Sequence, residues 1–234
     1  MKHSKIISIL ILFIFLSVSY AADLQKGIDA ARSGDFNTAL YELEPLAEKG
    51  DAIAQYMLGQ MHIYGHGVKQ NTNEAIKWFR LSADQGDVNA QNILGYIYSN
   101  GESDIKNDKE AVKWYRLAAE QGDALSQNNL GLKYFNGKGV SQDYKLAVKL
   151  FILSAEQGQK DAQTSLGYMY ENGYGVDENL VFAHMWYNVA AENGHKTAYQ
   201  NTRIIVRKMT VPQIKEAQIL AKKCINNSYK GCQR

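Results

Sequence analysis

Glycine returns every 36 residues along this chain: Gly59, Gly95, Gly131 and Gly167 form one series, and Gly50, Gly86, Gly122, Gly158 and Gly194 form a second. A fixed period of this length marks one supersecondary unit copied in tandem, each copy too small to bury its apolar face alone. Neighbouring copies must stack on one another. The pattern therefore predicts a solenoid with a binding surface before it predicts any chemistry.

Each period divides into two helical halves. The first halves read AQYMLG (Ala54 to Gly59), AQNILG (Ala90 to Gly95), SQNNLG (Ser126 to Gly131) and AQTSLG (Ala162 to Gly167). The small residue, the Leu and the Gly fall along one helical side, where Gly permits another backbone to come close. These helices are expected to end at Gly65, Gly101, Gly137 and Gly173, with Gly67, Gly139 and Gly175 as second turn glycines in left-handed geometry. Ser103 and Asp104 replace that second Gly and its following Val in one copy, so its turn should differ.

The second halves begin at Glu74, Glu110, Leu146 and Phe182. In the first of them Ala75, Trp78, Phe79, Ser82 and Ala83 recur at i, i+3, i+4, i+7 and i+8, an apolar and small stripe at helical spacing. Trp114 and Tyr115, Leu150 and Phe151, then Trp186 and Tyr187 supply the equivalent large residues. All three Trp residues share one repeat position, which favours core packing over ligand stacking.

The ends depart from the period. Leu24, Ile28 and Ala31 fit a first helix, followed by a second with Ala39, Leu43 and Ala47 on its apolar side and Pro45 expected to bend it. At the other end Ala198 to Val206 begins one helix. Thr210 as N-cap and Pro212 in the first turn then open a last one, with Ile214, Ala217 and Ala221 on its apolar side. The expected organisation is a leader over residues 1–21, an N-terminal partial or capping repeat over 22–50, repeats over 51–86, 87–122, 123–158 and 159–194, and a helical cap over 195–234.

The leader reading rests on Lys2 and Lys5, an apolar run from Ile6 to Leu16 broken only by Ser8, and small residues at Ser19 and Ala21 before a cleavage point. Removing it lowers Lys plus Arg from 26 to 24, equal to the 24 Asp plus Glu. A near-neutral chain without a basic block gives little support to nucleic-acid binding or to a polybasic membrane contact. The apolar run is also short for a membrane span, so no stable membrane insertion is expected after cleavage. The expected location is the periplasm or the medium. There Cys224 and Cys232 are expected to close a short disulfide loop contributing about 2–3 kcal/mol.

The recurring AQxxLG, glycine turn, A-x-x-W-Y/F and AAxxG, in order and at one period, resemble the Sel-one-like repeats, a branch of the tetratricopeptide-like helical repeats. The resemblance covers roughly Ala22 to Lys223, departing at His62 for the usual Tyr, Ser103 for Gly and Leu150 for Trp. It implies an all-α fold, a right-handed superhelical solenoid of antiparallel helix pairs, acting as an adaptor or scaffold. For exported relatives it also implies envelope processes or host interaction. Some Cys-rich relatives are linked to β-lactam binding or hydrolysis, but this chain lacks their repeated Cys pairs.

No nucleophile–base–acid set assembles from local motifs, so a non-catalytic chain without cofactor or metal is expected, with a cell-wall or weak β-lactam hydrolase as the alternative. His62 and His66 lie four apart, but no third patterned ligand completes a metal site. Candidate contacts to a protein or extended peptide are the pairs Gln55 and Tyr56, Gln91 and Asn92, Gln127 and Asn128, and Gln163 and Thr164, joined by Tyr96, Leu132 and Tyr168. Amides both donate and accept, so these side chains could hold a partner's backbone or brace neighbouring helices; the sequence leaves both open.

Overall fold

The computed structural model describes residues 21–232, among which there are helices, turns and irregular segments but no strand. Apart from Ala21, the leader expected over residues 1–21 lies outside the described residues. Helix α1 covers residues 21–33. It is followed by α2 (Phe36–Glu48), α3 (Ala52–Tyr64), α4 (Thr72–Asp84), α5 (Val88–Asn100), α6 (Asp108–Glu120), α7 (Ala124–Asn136) and α8 (Tyr144–Ala155). The remainder comprises α9 (Lys160–Asn172), α10 (Leu180–Glu192), α11 (Lys196–Ile205), a 3-10 turn (Val206–Lys208) and α12 (Val211–Asn226). Two compact units result, one up to Ile93 and one from Leu94 onward.

Side-chain caps set the helix starts. Asp35, Asp51 and Asn71 accept from backbone N–H groups in the first turns of α2, α3 and α4, and Asn107, Asp123, Asp143 and Asn179 do so for α6, α7, α8 and α10. Gly65, Gly137 and Gly173 end their helices at φ of 70°, 64° and 67°, the left-handed stop expected of them. Gly101 does not adopt it. The chain instead leaves α5 through a turn in which the N–H groups of Ile105 and Lys106 both donate to Glu102 O. That turn contains Ser103 and Asp104, where the sequence departs from the repeat.

In the unit up to Ile93, α3 packs against α2 and α4 as antiparallel pairs. The Phe79 ring lies on Gly59 and Leu43 lies on Gly27; a Cβ at either glycine would sit 2.6 or 2.7 Å from those side chains. In the unit from Leu94 on, Tyr115, Phe151 and Tyr187 lie in the same way on Gly95, Gly131 and Gly167. The glycine of AQxxLG is thus the seat of the second-helix ring, and each buried ring contributes about 1.5–3 kcal/mol. Gly139 and Gly175 sit against the backbone at Asp108 and Tyr144, where the preceding second helix begins.

Trp114 and Trp186 are fully buried, but Trp78 is only partly so. It packs against the cluster that includes Leu43, Leu46 and Leu58. Lys133 occupies the first-helix position held elsewhere by Met61, Ile97 and Met169, and it is buried. Its Nζ donates to Asp108 Oδ1 and Ser99 Oγ, both at 2.6 Å.

Helix α2 runs through Pro45, whose missing N–H leaves Tyr41 O without its usual helical donor. At the other end Thr210 and Gln213 form a reciprocal capping box, and α12 lays Ala217 and Ala221 against α10. Cys224 and Cys232 are joined in a disulfide. The loop it closes rests on the α8–α9 turn, with Tyr229 against Gly158 and the Gly231 N–H donating to Glu156.

Candidate functional site

The four glutamines of the AQxxLG segments all point inward. Gln55, Gln91, Gln127 and Gln163 are buried, and each Nε2 donates to the carbonyl of the Ala eight residues earlier: Ala47, Ala83, Ala119 and Ala155, at 3.0 to 3.3 Å. The amide oxygens accept in turn. Gln85 Nε2 reaches Gln55 Oε1 at 2.8 Å, Gln157 reaches Gln127 at 2.9 Å, and Asn193 stands 3.5 Å from Gln163. Gln157 and Asn193 also donate to the glycine carbonyls of the preceding turn, Gly122 and Gly158. A donor–acceptor relay thus links the end of one second helix, the next first helix and the end of its own second helix. Of the two readings open to these glutamines, bracing is the one their geometry realises.

Their neighbours are disposed unevenly. Asn128 is buried with its Oδ1 unpartnered, while Asn92 and Thr164 are partly buried, Thr164 donating back to Lys160 O. Tyr96 and Tyr168 are exposed. Tyr56 is half-buried, and burial raises its hydroxyl above the ordinary tyrosine range, helped by Asp87 and Tyr64 and opposed by the bond that Gln60 Nε2 donates at 2.8 Å.

Two concavities gather these residues on the first-helix side. In the unit up to Ile93, a cleft of about 650 Å³ runs over α1, α3 and the start of α5, and its walls include Phe36, Tyr56, Met57, Tyr64, His66 and Asp87. The His66 ring stacks on Phe36 at 4.1 Å and lies 5.5 Å from Tyr64, which makes the wall flat and aromatic. In the unit from Leu94 on, a smaller hollow of about 210 Å³ joins Leu132, Phe135, Thr164, Tyr168 and Asn201. Tyr168 sits there among Phe135, Tyr144 and Tyr174, and burial first, then Tyr174, raises its hydroxyl.

Both surfaces are apolar with a few polar groups at the edge, a composition suited to the side chains of an extended segment. Phe36, Tyr64, His66 and Asn201 were not among the sequence candidates. Phe36 and Asn201 belong to the irregular end pairs, where no alignment to the period marks them. His66 lies between two turn glycines and offers no helical stripe to read.

Helix pairs stacked by side-chain relays, with clefts on the first helices, define a helical repeat protein. The Sel1 repeat model matches residues 52–87, 88–123, 124–159 and 160–195, more than half of the sequence, and the chain belongs to that family. It is similar to a Sel1 repeat protein from Oxalobacter formigenes, with 29% identity, a TM-score of 0.69, and coverage of 88% of this chain and 77% of that one. It is also similar to a protective antigen present in uropathogenic Escherichia coli strains displaying an SLR fold. That match has 26% identity, a TM-score of 0.59, and covers 92% of this chain and 56% of that one. No curated protein matches at a significant level.

Proposed function

We propose that this chain is a non-catalytic scaffold that holds a protein or extended peptide in the bacterial envelope or after secretion. The observation carrying this reading is the aromatic cleft over α1, α3 and α5, which offers Tyr56 and Tyr64 on a frame already ordered by buried relays. A surface fixed before encounter loses less entropy on binding. The leader pattern over residues 1–21 supports export, and the likeness to an antigen of uropathogenic strains makes a host-facing partner the first to test. The hydrolase alternative finds no observation in its favour.

The test is crosslinking in the native envelope followed by mass spectrometry, comparing the wild type with Tyr64→Glu and Tyr56→Ala. Tyr64 is 65% exposed, so its replacement alters the cleft without emptying the core. Loss of the same crosslinked partner in both variants is expected. An unchanged partner set in both would overturn the placement, and fractionation that finds the chain only in the cytoplasm would overturn the location.

A further inference from the structure

On the second-helix side, the unit from Leu94 on holds a groove of about 500 Å³ bordered by Arg116 and Glu120 of α6, Tyr134 of α7, and Leu146, Leu150 and Leu153 of α8. Leu150 occupies the repeat position of Trp114 and Trp186, whose indoles are fully buried. In this copy alone of the four matched repeats a leucine stands at that position, and it lines the groove. Leu150 and Leu146 remain partly exposed and Leu153 is half exposed, so the floor and one wall are apolar and accessible.

The rim adds a charge. Arg116 Nη2 donates at 2.8 Å to the hydroxyl of Tyr134, a neutral acceptor that takes one of five guanidinium donors. Glu120 lies four residues further along α6, so an anionic occupant is favoured only with its carboxylate at the Arg116 end.

We propose that this groove receives a tryptophan side chain from a partner protein, with a carboxylate next to that tryptophan meeting Arg116. The partner supplies in trans the indole that the repeat omits. Tryptophan and arginine are the side chains that most often dominate such contacts, because a large ring excludes water around a charge-assisted bond. The groove lies between α6, α7 and α8, and its lining shares no residue with the first-helix clefts.

The test uses the full exported chain and two probes, N-acetyltryptophan, which carries a carboxylate, and N-acetyltryptophanamide, which does not. In amide-resolved NMR titrations the acid should shift resonances at Tyr134 and from Leu146 to Leu153, with a Kd on the order of 1 mM. It should bind about three- to fivefold tighter than the amide. Arg116→Gln should remove that preference. Leu150→Trp, which restores the repeat residue, should abolish the shifts while retaining helicity. Leu153→Asp, at a half-exposed position, provides a second block should Leu150→Trp misfold. Absence of these shifts in the wild type at several millimolar, equal binding of the two probes, or persistence of binding in both Leu variants would overturn the proposal.

Discussion

Lys133 Nζ lies 2.6 Å from Asp108 Oδ1, and the two residues come from a first helix and from the start of the preceding second helix. The lysine is buried at a position that three other copies fill with Met or Ile, whereas the aspartate keeps partial contact with solvent. The bond from Lys133 holds the Asp108 carboxyl below its ordinary range. Its contribution is therefore present above the unfolded value near 3.8 and is lost as pH falls through the folded value.

The cost of breaking this contact depends on which partner is removed. Lys133→Met should change stability by less than about 1 kcal/mol, since the aspartate left behind is still reached by water and Met packs at this position in other copies. Asp108→Ala should cost about 2 kcal/mol by leaving a buried ammonium with only Ser99, somewhat less than a fully enclosed pair because water still reaches the site. Urea unfolding of the two variants at neutral pH checks the order. A larger loss for Lys133→Met would contradict it.

The ring seats should be intolerant of a single methyl group. A Cβ at Gly167 would lie 2.5 Å from the Tyr187 ring, whose hydroxyl is tied to Glu171 at 2.9 Å, so the ring has little room to yield. Gly167→Ala should cost about 2–3 kcal/mol through overpacking. Gly86 has φ of 95°, and a methyl group there would meet nothing within 4 Å. Gly86→Ala should therefore lose only about 1 kcal/mol, through backbone strain. Thermal unfolding of both variants compares the two causes.

Gln127 separates bracing from binding. Gln127→Ala would remove the donor to Ala119 O and the acceptor of Gln157, costing about 1–3 kcal/mol for the groups left unpaired. Once the fraction folded is matched, partner capture should be unchanged. A selective loss of capture at full helicity would return this amide to the contact surface.

His184 gives the chain an acid-sensitive point. It stands where two other copies place Val112 and Val148, it is buried with Nδ1 unpartnered, and burial lowers its pKa from 6.5. The folded state resists protonation more than the unfolded chain, so stability is intact above 6.5 and declines as pH falls toward the folded value. His184→Val should be at least as stable at pH of about 7 and should lose less melting temperature on acidification to about 5. Equal losses in the two proteins would refute the assignment.

The tail loop predicts a local effect of reduction. Opening the Cys224–Cys232 bridge, eight residues apart, should cost about 2–3 kcal/mol of loop entropy. Hydrogen exchange should then rise at Tyr229 to Gly231 and in the α8–α9 turn they rest on, while α3 and α4 remain protected.

The repeats are legible in the sequence because their glycines, caps and rings answer to local sterics that recur at one spacing. Asp51, Asn71 and Gly65 each do what their residue type does best, whatever lies nearby. The candidate site is legible only in part. Tyr56, Thr164 and Tyr168 line concavities, but the glutamines beside them turn inward, because an amide satisfies a buried carbonyl as readily as a ligand and one sequence position fits both. Lys133 escapes a sequence reading because a charged residue in a helical stripe looks exposed until its partner, 25 residues earlier, is seen beside it.

The glutamine relay also defines where one unit can be cut from the next. Gln55 reaches back to Ala47 and is reached by Gln85, so the span from Ala47 to Gln85 shares one set of bonds although the family boundary falls inside it. Deleting or duplicating a block is therefore conservative only in whole steps of the period, begun so that every inserted Gln meets an Ala carbonyl behind it and an amide ahead. Such grafts should keep their cooperativity, whereas a block cut out of register strands one buried amide at each seam. The relay acts as the reading frame for lengthening or shortening this protein.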